Sequence, residues 1–116
     1  MLSNKQVEHK NITVGGSLII QHLNIQYIRD KVDILNVYLN LESPDVLIIT
    51  EHGLKDQEIC LLNFPGYNIG AYSCRTVLKS GGVLIITKDN LKVKTIDLLY
   101  LFIEKDFEVA GIKINN

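Results

Sequence analysis

The chain has little net charge, few cysteines and no long hydrophobic run, and each absence excludes a class of protein. Its 116 residues carry 12 Lys and Arg against 13 Asp and Glu, which gives a net charge of −1. This balance lacks the basic excess that marks many nucleic-acid-binding domains. The two cysteines, Cys60 and Cys74, form neither a C-x-x-C pair nor a disulfide framework. They are typical of a reduced, intracellular protein.

Membrane insertion and secretion are disfavoured by the same kind of absence. The first nine residues contain no apolar stretch of the kind found in signal peptides. The most apolar runs are far too short to span a bilayer; they cover residues 46–49, 83–86 and 98–103. The sequence therefore predicts an intracellular protein, nuclear or cytoplasmic, with no membrane partner.

Core-forming residues are abundant. Hydrophobic residues make up 47% of the chain, and Ile, Leu and Val dominate them, whereas disordered chains are poor in these types. Residues 1–16 differ, because they are mostly polar and end in Gly15-Gly16. We expect a flexible leader over residues 1–16 and one folded unit over residues 17–116.

The folded unit opens with the pattern of a β-α-β unit. Residues 17–23 form an apolar run that suits a buried strand, and residues 45–50 form a second one rich in β-branched side chains. Between them, residues 27–41 predict a helix, which Pro44 ends because the residue before proline resists the helical conformation. The apolar positions on one face of this helix are Ile28, Val32, Leu35 and Leu39.

The second half reads as rich in strands. A helical turn is predicted over residues 56–61, and Phe64-Pro-Gly-Tyr67 is a turn. The segment Lys88-Asp-Asn90 predicts a hairpin between the strands on either side of it. The strands predicted in this half cover residues 68–72, 83–87, 91–96 and 107–114. The fold class expected from these patterns is α/β.

Polar side chains follow both strands of the β-α-β unit. The first strand leads into His22-Leu-Asn24, and the second ends at Thr50-Glu51-His52. Because the carboxyl ends of parallel strands meet at one edge of a sheet, we expect Asn24 and Glu51 to lie close together. An amide beside a carboxylate suits a hard cation such as Mg²⁺, which takes one or two carboxylates and completes its shell with water and phosphate oxygens.

Four segments together resemble a known family. LIIQHLNIQYIRDKVDILNVYL resembles the opening motif of endonuclease/exonuclease/phosphatase domains, and PDVLIITEHGL resembles their second motif. FPGYNIGAYSCR followed by GGVLIITKDNL is similar to the next segment, and FEVAGIKIN resembles the strand after it, which often begins with a similar Glu. The resemblance runs from about Leu18 to Asn116 and is strongest to endonuclease domains of insect non-LTR retrotransposons of the jockey kind.

The resemblance implies a fold and a reaction. The fold is a four-layer α/β/β/α sandwich of the DNase I-like type. The reaction is hydrolysis of a DNA phosphodiester that depends on Mg²⁺ or Mn²⁺, without a small-molecule cofactor. Glu51 would hold the metal, and Asn24 would join the metal site by orienting the scissile phosphate or a water. Arg75, in the loop before Gly81-Gly82, would contact the DNA backbone.

The chain departs from the family in two respects. Gly53 stands where the family often has Trp, two residues after the metal-binding Glu. The family's later Tyr, Asp-x-Asn and Asp-His motifs do not follow in this sequence. The resemblance therefore implies the N-terminal half of a domain, with DNA as the partner of the intact protein and no DNA nicking by this chain. The alternative is a non-catalytic remnant or binding module of the same fold.

Simpler interpretations of each polar residue stay open at this level. Asn24 could be a helix N-cap, and Glu51 could be an exposed carboxylate at a strand end. His22 is flanked by apolar residues and suits a structural, hydrogen-bonded histidine. His52 adjoins Glu51, but neighbours on a strand point to opposite faces, so shared ligation of one metal is disfavoured.

A nucleotide-binding β-α-β domain is a further alternative that the sequence disfavours. Residues 22–26 contain no glycine to admit a pyrophosphate at the turn from strand to helix. Gly81-Gly82 is not part of a phosphate-binding G-x-x-x-x-G-K-[ST] loop and suits a tight entry into a strand.

Overall fold

The computed structural model describes residues 7–13, 17–76, 80–98, 101 and 108–115. This part of the chain is a mixed α/β structure with strands in two sheets and two helices. In chain order the elements are β1 (Val7–Thr13), β2 (Ser17–Asn24), α1 (Val32–Glu42), β3 (Val46–Thr50), α2 (Asp56–Ile59), β4 (Tyr67–Ser73), β5 (Val83–Lys88), β6 (Lys92–Ile96) and β7 (Gly111–Asn115).

The larger sheet contains the predicted β-α-β unit. Its strand order is β1-β2-β3-β5-β4, and only the β2–β3 pair is parallel among its described pairings. Helix α1 makes the crossover between those two strands, as the spacing of apolar residues predicted. In the parallel register the α-carbon of Asn24 pairs with that of Thr50. The two strands therefore end at the same level of the sheet.

The helix begins later than the sequence predicted. Gln26 and Tyr27 have φ angles of 46° and 71°, outside the helical region, and α1 starts only at Val32. The Nζ atom of Lys31 donates hydrogen bonds to the carbonyl oxygens of Ile25 and Gln26, at 2.5 and 3.1 Å. These bonds satisfy backbone acceptors in the bend that replaces the first predicted helical turn.

Two expectations from the sequence need correction. Within the predicted leader over residues 1–16, the structure places Val7–Thr13 in strand β1, antiparallel to β2. Residues 1–6 and 14–16 of the predicted leader lie outside the described residues. The predicted hairpin at Lys88-Asp-Asn90 is wrong, because β5 pairs with β3 and β4 while β6 pairs with β7 in a separate two-stranded sheet. The partners of β5 come from distant parts of the chain, and a turn pattern does not report them.

Both helices pack on one face of the five-stranded sheet. Leu35 and Leu39 of α1 and Ile59 of α2 are buried there. The sheet and loop residues in this cluster are Leu23, Ile25, Ile28, Leu47, Ile49, Leu54, Phe64, Leu84 and Ile86. This face forms the larger of the two hydrophobic clusters in the described residues.

The two-stranded sheet covers part of the opposite face. Val46, Ala71 and Ile85 of the larger sheet are buried there, with Ile112 and Ile114 of β7 packed against them. Because β3 and β5 are covered on both faces, their sequences are continuously apolar and do not alternate with polar residues. The described architecture is thus helices, then a five-stranded sheet, then a smaller sheet. Neither described helix is long and apolar enough to cross a membrane.

Candidate functional site

Asn24 ends β2 with an unpartnered oxygen. Its Oδ1 atom is buried and has no hydrogen-bond partner among the residues that the structure describes. A buried acceptor without a partner costs about 1–3 kcal/mol, so such an atom calls for a ligand or another explanation. The helix N-cap interpretation does not apply, because the N-cap position of α1 belongs to Lys31. Asn24 therefore places an amide oxygen without a described partner at the end of β2, and Oγ of Ser73 and Oγ1 of Thr87 are unpartnered in the same way.

Glu51 lies directly beyond the strand pair, in a strained backbone conformation. It follows Thr50, the register partner of Asn24, and has a φ angle of 62°. Its N–H donates to the carbonyl oxygen of Gly82 at 2.9 Å, and its carbonyl oxygen accepts from the N–H of Tyr27 at 2.8 Å. A left-handed conformation costs a non-glycine residue about 1–2 kcal/mol. The neighbouring loops hold Glu51 in that conformation, and its side chain is half-buried.

Gly53 makes room for the ring of Tyr27. A Cβ atom on Gly53 would lie 2.6 Å from Cδ1 of Tyr27, and the φ angle of Gly53 is 73°. A side chain at position 53 would collide with that ring and strain the backbone. The position of the Tyr27 ring therefore accounts for glycine at position 53. Tyr27 itself is 57% exposed, and the sequence patterns gave no signal that its ring would adjoin Gly53.

His52 is a structural residue. It is fully buried; its Nδ1 accepts a hydrogen bond from the N–H of Leu54 at 2.9 Å. Since Nδ1 accepts, Nε2 carries the proton and donates to the carbonyl oxygen of Ser73 at 2.8 Å. Burial, the largest cause, lowers the pKa of His52 and keeps the ring neutral. Both ring nitrogens are occupied, which agrees with the expectation that His52 does not share a metal with Glu51.

His22 also has a partner within the sheet. Its Nε2 lies 3.0 Å from the hydroxyl oxygen of Thr50. The two residues stand on neighbouring parallel strands, two positions apart in the register that pairs Thr50 with Asn24. This contact supports the structural interpretation of His22. It also ties β2 to β3 just before Asn24 and Glu51.

Arg75 is paired with Glu108, a residue whose function the sequence patterns did not reveal. The Nε atom of Arg75 donates to Oε2 of Glu108 at 2.5 Å, and the N–H of Gly82 donates to Oε1 of Glu108 at 2.8 Å. The two side chains are only 16% and 11% exposed. The predicted contact of Arg75 with DNA stays a prediction. The only sequence signal for Glu108 was its place at the start of the FEVAGIKIN segment.

Glu51 and Asn24 carry oxygen atoms, the donor type that a hard cation takes. Within the described residues, no three His, Cys, Asp or Glu side chains form a metal-binding cluster. Magnesium does not need such a cluster, since one or two carboxylates with water and phosphate oxygens are sufficient. The carboxylate of Glu51 and the unpartnered Oδ1 of Asn24 are oxygen donors of the required type.

Comparison of the chain with protein-family models found no match, and none of the curated proteins matches it.

Proposed function

We propose that this chain carries part of the active site of a divalent-metal-dependent DNA endonuclease, with the DNase I-like α/β/β/α sandwich fold. The observation that carries the proposal is the unpartnered, buried Oδ1 of Asn24 beside the strained bend at Glu51. Strained residues and unsatisfied buried polar atoms are concentrated at functional sites. Here both occur at the edge of the sheet where two parallel strands end.

The arrangement of layers supports the sandwich. The five-stranded sheet has both described helices on one face and a second sheet on the other. A face-to-face pair of sheets with helices outside is the core of the four-layer arrangement. The resemblance of four segments to endonucleases of insect non-LTR retrotransposons supports DNA as the substrate.

Each residue has a defined part in the proposed site. The carboxylate of Glu51 holds Mg²⁺ or Mn²⁺, and the amide of Asn24 offers its oxygen to the cation or its N–H groups to a phosphate oxygen. When bound, the cation supplies positive charge that polarises the phosphodiester. The fold contributes orientation, because the backbone that carries the Glu51 carboxylate donates a hydrogen bond to Gly82 and accepts one from Tyr27.

A binding module of the same fold is the second candidate. Its supporting observation is His52, the histidine nearest to Glu51 in sequence, whose two ring nitrogens are both hydrogen-bonded inside the fold. An imidazole held in this way cannot act as the general base for water. Such a module would bind a divalent cation and DNA through Glu51 and Asn24 without cleaving the strand.

Binding of Mn²⁺ tests the metal assignment directly. Titration of the 116-residue chain, followed by the electron paramagnetic resonance signal of free Mn²⁺, should show one site. Glu51→Gln and Asn24→Leu should weaken it by at least about tenfold, since the first removes the carboxylate charge and the second removes a donor oxygen. The matched control is Asp89→Asn, an exposed carboxylate in the turn after β5, which should leave the affinity unchanged.

The titration and a nicking assay on the same variants test the candidates. Loss of Mn²⁺ binding in the two site variants supports the metal site, and nicking of duplex DNA that also requires Glu51 supports a complete endonuclease site, against the expectation that this chain does not nick DNA. Site-specific Mn²⁺ binding with DNA bound and intact agrees with the binding module and with the partial endonuclease site alike. Equal Mn²⁺ affinity in the wild type, Glu51→Gln and Asp89→Asn would refute the metal assignment.

A further inference from the structure

We propose that Glu108 is a positioning residue that fixes the bend at Glu51, acting through Gly82. The assignment of Glu51 to a metal rests on the proposed function, but the contact itself does not. Glu108 lies just before β7, in the segment that leads into the smaller sheet, while Glu51 follows β3 in the larger one. A single carboxylate thus connects the second sheet to the edge where the candidate site lies.

The connection runs through two consecutive glycines. The carbonyl oxygen of Gly82 accepts the N–H of Glu51, and the carbonyl oxygen of Gly81 accepts the N–H of Gly53, both at 2.9 Å. Gly81 and Gly82 therefore hold the residues on both sides of His52. Their φ angles are 77° and 91°, which only glycine adopts easily.

Because glycine backbone is flexible, Gly81 and Gly82 need a further contact to hold their own conformation. The N–H of Gly82 belongs to the same peptide group as the carbonyl of Gly81, and it donates to Oε1 of Glu108 at 2.8 Å. A carboxylate acceptor makes that bond roughly twice as strong as a neutral one. It also polarises the peptide group, which strengthens the bond that the N–H of Gly53 donates to the carbonyl oxygen of Gly81.

The positive charge of Arg75 compensates the carboxylate of Glu108 in a largely buried environment. Its Nε donates to the second carboxylate oxygen, and its side chain lies over Gly81, where a Cβ atom would come within 2.1 Å of Nε. The backbone oxygen of Arg75 in turn accepts a hydrogen bond from Nζ of Lys55 at 2.7 Å. An unpaired carboxylate at this level of burial would be strongly destabilising.

Hydrogen exchange of the Glu51 amide measures the proposed positioning without any metal. In Glu108→Ala the Glu51 amide should exchange at least about tenfold faster relative to the amide of Ile48, which lies in the middle of β3. The matched control is Asp45→Ala. Asp45 also accepts a backbone N–H, that of Ile19 at 2.8 Å, and pairs with Lys88 at 3.8 Å, but it lies just before β3, at the end of that strand away from Glu51.

A double substitution keeps the test decisive if Glu108→Ala does not fold. In Glu108→Gln, the side-chain NH₂ group must face another donor, either Arg75 or the N–H of Gly82. Hydrogen exchange of the Glu51 amide should therefore again accelerate. Adding Arg75→Met removes that conflict, because the Gln carbonyl can then accept from Gly82. The double variant should return Glu51 protection to within about threefold of the wild type.

Manganese titration of the same variants separates this inference from the proposed function. Faster Glu51 exchange with weaker Mn²⁺ binding in Glu108→Gln, and recovery of both in the double variant, supports positioning of a metal ligand. A wild-type chain that binds no Mn²⁺ refutes the proposed function, and the exchange data then decide the role of Glu108 alone. Glu51 exchange that is unchanged by Glu108→Ala and Glu108→Gln, or equally accelerated by Asp45→Ala, overturns the inference.

Discussion

The α-carbon of Gly82 lies directly against the ring of His52, so that an added Cβ atom would be 2.3 Å from Nε2 of His52 and 2.9 Å from the carbonyl oxygen of Ser73. Gly82→Ala should therefore lower the free energy of unfolding by about 2–4 kcal/mol, through overpacking and a φ angle of 91°. Urea denaturation followed by circular dichroism measures the loss.

A second glycine provides the control for backbone strain alone. Gly66 has a φ angle of 85°, but nothing lies within 4 Å of an added Cβ atom. Gly66→Ala should cost only about 1–2 kcal/mol. Similar losses in the two variants would mean that contact with His52 and Ser73 contributes nothing to the cost at position 82.

We expect the left-handed backbone at Glu51 to lower the stability of the fold while the Glu51 carboxylate provides metal binding. Glu51→Gly relieves the left-handed strain at a φ angle of 62° and should raise the free energy of unfolding by about 1 kcal/mol, while abolishing Mn²⁺ binding. Glu51→Ala removes the same carboxylate without relieving the backbone, so it should lose binding and gain no stability. Thermal unfolding in EDTA gives the comparison; a Glu51→Gly variant less stable than Glu51→Ala would contradict the strain argument.

Asn24 should show the same opposition between stability and binding. Asn24→Leu removes a buried acceptor that has no partner, so the apo protein should be unchanged in stability or gain about 1 kcal/mol. Asn24→Asp keeps an oxygen at the same place and adds charge. It should be less stable than the wild type in EDTA and should gain more from added Mn²⁺. Equal responses of Asn24→Leu and Asn24→Asp to Mn²⁺ would exclude position 24 from the metal site.

Local periodicity predicted the opening of this fold because its determinants are local. The spacing of Leu35 and Leu39 reports one buried helical face, and the apolar runs around Leu23 and Ile49 report strands that contribute to the core. Since a parallel pair brings both carboxyl ends to one edge, the meeting of Asn24 with the Thr50–Glu51 segment followed from the topology. The late start of α1 could not be predicted from local periodicity, because the φ angles at Gln26 and Tyr27 depend on contacts with the loop after β3.

Pairings between distant segments could not be read from the sequence. The turn at Asp89-Asn90 looks the same whether it closes a hairpin or carries the chain to another sheet, and β5 already has β3 and β4 as neighbours. The Arg75–Glu108 pair joins residues 33 positions apart. Neither side chain lies in a spacing pattern that marks the other, so the sequence did not indicate that they pair.

The two cysteines should differ sharply in reactivity. Burial, and secondarily the carboxylate of Asp56, raises the pKa of Cys74 to about 11, whereas Cys60 is exposed. A raised pKa means less thiolate, so at pH 8 only about one in a thousand Cys74 side chains is ionised. A disulfide reagent at pH 8 should modify Cys60 first. In Cys60→Ser the remaining thiol should react slowly, with a rate that rises about tenfold per pH unit while the protein stays folded. Reaction of Cys74 in Cys60→Ser as fast as that of Cys60 in Cys74→Ser would show that the packing around β4 opens readily in solution.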